Sequence, residues 1–438
     1  MSVGERGMGF GMRTLSKLAG SDLLDRLGVR DGANRAVYQA TREGFRAAGV
    51  AGRTFKAVQG NGKPGRLKPT SSSGVFDLTP TDEQQMVQET FRTFAEEQLR
   101  PAAGAADAGS AAPRELLDQM AELGLTMLGV PEALGGAVDQ RSTVTSVLAA
   151  EALAQGDMGL AAAALATASV ASALALWGDS SQQASYIPAL IGDDAPAAAI
   201  ALHEPRPLFN PFALQTVAKR DGGDLVLNGS KALVPRAADA SLLVVGAELP
   251  GTGPVLLLAE SAGRGVTVRP AATMGARAAG FGELRFDTVR LPRAALLGGG
   301  APDVYAECVR RSRLAWCALA LGTARAVLDY VIPYVNERVA FGEPISNRQA
   351  VAFRVSDIAI ELECMRLTVL RAASRADADK PLADAVATAH TLCAQRGAAI
   401  GSSGVQLLGG HGYVKEHPVE RWYRDLQAVG AIEGGLLV

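Results

Sequence analysis

The sequence predicts a mostly helical protein with a small β domain at its middle, and three observations predict it. Two long regions, residues 78–177 and from Asp303 onward, place apolar side chains at helical spacing. Between them, short apolar runs alternate with Asp-Gly-Gly, Asn-Gly and Pro-Gly turn signals. The composition is 48% hydrophobic but only 5% aromatic, with 49 glycines, as expected of helices that meet through small residues. At 438 residues the chain is long enough for two or three domains, each with its own core.

Residues 1–76 read as a basic extension and linker. Residues 1–69 carry 13 Lys/Arg against 5 Asp/Glu, a net +8, which leaves −10 for the rest of a chain whose total is −2. Met8, Phe10, Met12, Leu15 and Leu18 fit one face of a helix. Such an arm could dock on the chain's own body or a sister subunit, or touch an acidic partner or an anionic membrane surface. No compact apolar stretch follows the basic start, so no cleavable export signal is expected. The stretch KAVQGNGKPGRLKPTSSSG has linker composition.

Residues 77–196 form the expected N-terminal helical domain. Met86, Val87, Phe91, Phe94 and Leu99 give the first helical stripe, with Thr79 or Thr81 as N-cap and Pro101 as the stop. RELLDQMAELGL continues the pattern, and LGVPEALGGA interrupts it as a turn. Residues 158–178 carry no charge and are long enough to cross a bilayer. Their Ala, Ser and Thr content favours a buried helix of a helical domain instead.

Residues 197–300 form the expected antiparallel β domain, through AAAIALH, DLVLNG, SLLVVGAE, PVLLLAE, GVTVRP and ELRFDTVRLP. Residues 301–438 return to helical spacing in three long runs, the signature of an antiparallel bundle.

The motif inventory excludes several chemistries. There is no GxGxxG after a strand, no HExxH, no Walker loop and no GxSxG. Cys308, Cys317, Cys364 and Cys393 show no CxxC and no paired histidines, which argues against a disulfide framework or zinc and for a reducing cytoplasm. His203, His390, His411 and His417 are scattered and read as structural, so no metal is expected. The acidic body disfavours nucleic acid. One residue stands out: Glu433, set between Ile432 and a Gly-Gly pair. A lone carboxylate in apolar surroundings has its pKa raised and becomes a usable general base; the plainer reading is an exposed glutamate on a frayed segment.

The order of domains, together with LGVPEALGG, ALHEP at 201–205, LNGSK at 227–231, MGAR at 274–277 with FDTVRLP, RVAFGEPISNRQ at 338–349 and QLLGGHGY through IEGG, resembles the acyl-CoA dehydrogenase family over roughly residues 78–438. The resemblance implies flavin-dependent oxidation of an acyl-CoA thioester to the 2,3-enoyl-CoA, with FAD as cofactor. It makes Glu433 the base that removes the α-proton and Gly434 a substrate contact through its N–H. Arg338 resembles the arginine that grips the flavin dinucleotide's diphosphate from a neighbouring subunit, and Phe341, Gln349, Gln406, Gly409 and Gly410 match further positions around it. Arg277 matches a substrate contact. The implied partners are an electron-transfer flavoprotein or similar acceptor and further copies of the chain, as a homo-dimer or tetramer or a heteromer.

The chain departs from the family pattern in its β domain. The usual Thr-Glu-Pro-Gly-Ala-Gly-Ser-Asp reads His203 to Asn210, without the glycine turn or the serine. After LNGSK, Leu233, Val234, Pro235 and Arg236 replace an aromatic-Ile-Thr-Asn segment whose groups face the flavin, and proline has no N–H to give. Gly280, Phe281 and Gly282 follow Arg277, and Gly435 stands where the family carries a threonine. A second reading follows from these losses: a non-catalytic or half-catalytic subunit that completes a partner's site, using the basic arm to dock.

Overall fold

The computed structural model describes residues 79–438, Asp193 excepted. The basic arm and its candidate apolar face therefore lie outside the described residues.

Helix α1 (Asp82–Phe94) starts at Thr81, whose hydroxyl accepts from Gln84 N while the Gln84 side chain returns to Thr81 N, a reciprocal cap. The expected stop at Pro101 is not one. A π-helical turn, Ala95–Leu99, leads straight into α2 (Arg100–Gly109). The Arg100 N–H bonds Ala95 O in the wider π register, and Pro101 then occupies the first turn of α2, where a missing N–H is tolerated.

After α3 (Arg114–Glu122), α4 (Thr143–Ala154) and α5 (Met158–Trp177) form the floor of the helical core. The 158–177 segment is long and apolar enough to span a membrane by length and composition, but 89% of its most apolar stretch is buried inside the protein. Small side chains permit that depth. Asp157 caps α5 through Leu160 N at 2.9 Å. Helix α6 (Ser180–Leu190) completes this part.

The middle sheet has eight strands: β1 (Ala198–Ala201), β2 (Val217–Asp221), β3 (Asp224–Val234), β4 (Leu242–Leu249), β5 (Gly253–Glu260), β6 (Val266–Pro270), β7 (Gly282–Pro292) and β8 (Leu296–Leu297). Their order is β6-β7-β3-β2-β4-β5-β8, with β1 beside β4. The sheet is mixed rather than antiparallel: β1 runs parallel to β4, and β2 meets β4 in parallel at Val217 and Glu248. All four β1 residues are buried. A strand covered on both faces loses the polar/apolar alternation that marks an antiparallel edge, so its direction was not readable.

The C-terminal bundle holds α7 (Pro302–Glu337), α8 (Gln349–Asp377), α9 (Ala383–Leu408) and the short α10 (Val419–Ala428). Between α7 and α8 lies a small hairpin, β9 (Val339–Ala340) with β10 (Glu343–Pro344). Gly322 lets α7 cross α4 closely, since a Cβ there would stand 2.0 Å from Glu151 O. Arginines lock α10 down: Arg424 reaches Asp107 at 2.9 and 3.0 Å, and Arg421 reaches Asp157 at 3.0 Å.

Candidate active site

Glu433 follows α10 on a short turn, its side chain 12% exposed. It is not the lone carboxylate the sequence suggested. Arg313, on the first third of α7, grips both oxygens: Nε lies 3.0 Å from Oε1 and 2.9 Å from Oε2, and Nη2 lies 2.5 Å from Oε1. The bonds raise the Arg313 pKa above its ordinary value, with the hydrogen bonds to Glu433 the largest cause. Isolation in sequence concealed a partner 120 residues away. The signal that could have found it is the run Arg310, Arg311, Ser312, Arg313, three arginines on a helix too apolar to leave them all unpaired.

His203 is the second group at the carboxylate. Its Nδ1 accepts from the Glu433 backbone N–H at 3.4 Å, and its ring lies 4.8 Å from that of Phe209. Burial lowers the His203 pKa below 6.5; Glu433 pulls the other way, and Lys231 adds to the lowering. The neutral ring, protonated on Nε2, is the form this contact needs. His390 is also depressed by burial, and its Nε2 lies 3.2 Å from Val429 O.

Two motif fragments meet beneath this site. Lys231, wholly buried, donates to Glu204 Oε1 and to Leu202 O, each at 3.0 Å. Glu204 also accepts from Gln215 N at 2.8 Å and Thr216 N at 2.9 Å. Burial pushes the Lys231 pKa down to about 8, partly offset by Glu204. For Glu204 burial works toward a higher pKa, but Lys231 and the two backbone donors outweigh it and leave the value below 4.5. The ALHEP and LNGSK fragments are thus joined by one buried ion pair.

The altered β-domain residues include several held in turned conformations. Arg206 bends back to Ala213 O and Asn210 O and lies over the Phe209 ring at 5.4 Å. Leu208 stands fully exposed at φ +52°. Leu233 and Arg236 also adopt positive φ, at +52° each, either side of Val234 and Pro235. Arg277 donates to Ser110 Oγ at 3.2 and 3.3 Å and lies 4.0 Å from Asp107, so it is held at the end of α2. Gly434, at φ +80°, has its carbonyl fixed by Trp316 Nε1 at 2.8 Å.

A second group of predicted residues gathers at the other end of the bundle. Arg338 caps α7, Phe341 is 95% exposed in the β9–β10 hairpin, and Gln349 opens α8. Gln406, Gly409 and Gly410 end α9, and Tyr334, one turn before Arg338, ties that end to α7 through Leu408 O and His411 Nδ1. All six are exposed. Arg338 has no ion pair among the described residues. The histidines are less scattered than the sequence implied: His411 and His417 stack at 5.2 Å, held by Tyr334 and Tyr330. Among the described residues no group of His, Cys, Asp and Glu could hold a metal ion.

A helical domain, a small mixed sheet and a long-helix bundle, with a carboxylate seated where sheet and bundle meet, define a three-domain α and β architecture. Family models described as acyl-CoA dehydrogenase N-terminal, middle and C-terminal domains match residues 81–194, 199–289 and 300–435. The chain is 33% identical over 362 residues to the short-chain specific acyl-CoA dehydrogenase of Bos taurus, covering 80% of this chain and 86% of that one. Butyryl-CoA dehydrogenase of Megasphaera elsdenii superposes with a TM-score of 0.76 at 28% identity, over 82% of this chain and 96% of its own. Glutaryl-CoA dehydrogenase of Mycobacterium smegmatis, solved with FADH2, superposes at 0.75 with 25% identity, over 81% and 92%. The chain belongs to the acyl-CoA dehydrogenase family.

Proposed function

We propose that this protein oxidises an acyl-CoA thioester between Cα and Cβ, with Glu433 as the base and FAD as cofactor. The observation that carries the reading is the Arg313–Glu433 pair on the Ile432-Glu433-Gly434-Gly435 turn. It holds one carboxylate in one orientation at the junction of sheet and bundle.

The residues present fit the dinucleotide arm of the cofactor. Arg338 offers an exposed guanidinium with no ion pair of its own among the described residues, suited to two parallel hydrogen bonds on a diphosphate, and Gln349 and Gln406 offer amides beside it. The ring side offers less, because Pro235 lacks an N–H and Arg206 ties the 206–213 loop to itself. When bound, the flavin supplies a two-electron acceptor for the β-hydride.

The chain's own residues do the rest. Glu433 takes the weakly acidic Cα proton; Oε2 accepts a single hydrogen bond from Arg313 and so keeps a lone pair for it. Arg313 orients the carboxylate, and His203 fixes the peptide that carries it. Gly434 lacks a side chain where Leu202 packs, since a Cβ there would stand 2.5 Å from Leu202 Cβ, and its positive φ turns the chain directly after the carboxylate. The exposed Arg338 group supports a site completed by a second copy, and an electron-transfer flavoprotein or similar carrier is the acceptor this reading expects. Anaerobic mixing of the flavin-loaded protein with butyryl-CoA tests the reading: bleaching of the flavin band supports it, and a band unchanged by any acyl-CoA refutes it.

A further inference from the structure

His203 opens a loop that its own residues lock in place. From His203 to Ala213 there is no glycine, and prolines stand at 205, 207 and 211. Glu204, at the start of the loop, accepts from Lys231 and from the Gln215 and Thr216 N–H groups just past its end. In the middle, Tyr305 on α7 donates its hydroxyl to Pro211 O at 2.6 Å, and Asn210 Oδ1 accepts from Phe212 N at 2.9 Å. Arg206 closes the loop on itself through Ala213 O and Asn210 O.

Three side chains of this loop line up toward the carboxylate. The Arg206 guanidinium lies 5.4 Å from the centre of the Phe209 ring, close enough for a cation–π contact. The Phe209 ring lies 4.8 Å from that of His203, tilted by 55°. His203 Nδ1 then accepts from Glu433 N–H at 3.4 Å. Arg206 and Phe209 thus reach Glu433 through the histidine.

Nδ1 accepts only while it carries no proton. An imidazolium would lose this bond and set a cation beside the Glu433 carboxylate, which makes the carboxylate a weaker base. Charged groups face the ring from several sides: Glu433 and Glu204 favour its protonation, Lys231 opposes it, and Arg206 stands beyond Phe209. Burial is the largest influence, and Phe209 is the ring that covers His203 on the loop side. We propose that Arg206 and Phe209 are positioning residues for the base: they hold His203 in place and unprotonated, so that Glu433 keeps its orientation and basicity in mild acid. The proposal rests on the dehydrogenase reading and deepens it. It gives residues 206–210, where the chain departs from the family's glycine turn, work of their own.

Two readouts test it on the full chain. The first is NMR titration of the imidazoles in protein carrying isotope-labelled histidine, where the His203 signal among the four is the one lost in His203→Asn. The second is the rate of flavin bleaching by saturating butyryl-CoA in the flavin-loaded protein from about pH 5 to 8. Phe209→Leu and Arg206→Gln are each expected to move the His203 midpoint up toward 6.5, and to move the acid fall in bleaching rate up with it. In a His203→Asn background, where the asparagine keeps an acceptor but does not titrate, neither change should move the acid fall. A His203 midpoint that stays put in both variants overturns the proposal. So does an acid fall that does not shift, or one that shifts equally with and without His203. If Phe209→Leu does not fold, Arg206→Gln carries the test alone. A raised midpoint in protein that no acyl-CoA bleaches supports the stack and tells against the dehydrogenase reading; bleaching with an unmoved midpoint does the reverse.

Discussion

Pro235 lies directly under Gly435: a Cβ built on Gly435 would stand 2.9 Å from Pro235 Cδ and 3.2 Å from its Cγ. Two departures from the family pattern, 200 positions apart in sequence, therefore occupy each other's space. Gly435→Ala is expected to destabilise by about 1–3 kcal/mol from its positive φ alone, with the contact added. Pro235→Ala in the same chain should return the contact part and leave the backbone part. Equal losses of thermal midpoint with and without Pro235 would show that the two positions are independent.

Removing the charge of Glu433 separates binding from chemistry. Glu433→Gln keeps the shape and should slow flavin bleaching by roughly 10²–10⁴-fold while acyl-CoA still perturbs the flavin spectrum. Arg313→Gln should lower the bleaching rate less, because the carboxylate remains but is no longer oriented, and Arg313→Lys should recover only part of it, since a lysine cannot bond both oxygens as a fork does. A Glu433→Gln protein that bleaches at the original rate would remove the base assignment.

The Lys231–Glu204 pair should be costly to break and cheap to delete. Glu204→Gln leaves a buried ammonium without its counter-charge, for an expected loss of about 3–5 kcal/mol. Adding Lys231→Met should restore much of that loss. The Glu204 pKa is held below 4.5, so its contribution is present above pH 4.5 and lost as pH falls through the lower folded value. Denaturant titrations of the original protein, Glu204→Gln, Lys231→Met and the double variant from neutral to acid pH measure both effects; additive losses would deny the coupling.

His203 predicts a second acid dependence nearer neutrality. Its folded pKa is lowered from 6.5, chiefly by burial, so the unfolded chain binds the proton more readily. Stability from this group is present above pH 6.5 and falls as pH drops through its folded value. Protonation also removes the acceptor of Glu433 N–H. His203→Asn, which keeps an acceptor but does not titrate, should flatten the decline in thermal midpoint between about pH 5 and 7. An unaltered decline would place its origin elsewhere.

Helix and sheet content were legible because burial imposes periods of 3.6 and 2 on the sequence, and the 82–94 helix offered Thr79 or Thr81 as its cap, of which Thr81 is the one used. The parallel course of β1 was hidden because Ala198–Ala201 is buried on both sides. Pro101 misled because local propensity cannot see the π turn that moves it into a first-turn position. At the site, Glu433 could be singled out by its glycine neighbours, while its partner Arg313 showed only as one of three arginines on an apolar helix, since a contact across 120 residues leaves no local trace of which one pairs. His203 and Lys231 were visible only as members of motifs, without the hydrogen bonds that define them.

Helix α7 carries one more consequence. Arg313 and Arg338 both belong to it or its cap, 25 residues apart, which at 1.5 Å per residue is about 37 Å of rigid rod. No single dinucleotide reaches from a ring beside Glu433 to a diphosphate at Arg338 over that span. If Arg338 grips a flavin diphosphate as proposed, that flavin sits in another polypeptide, and α7 would be a strut between two reaction centres. Each chain would then own a base at one end of the strut and lend a cation at the other, and a monomer would hold two halves that never meet.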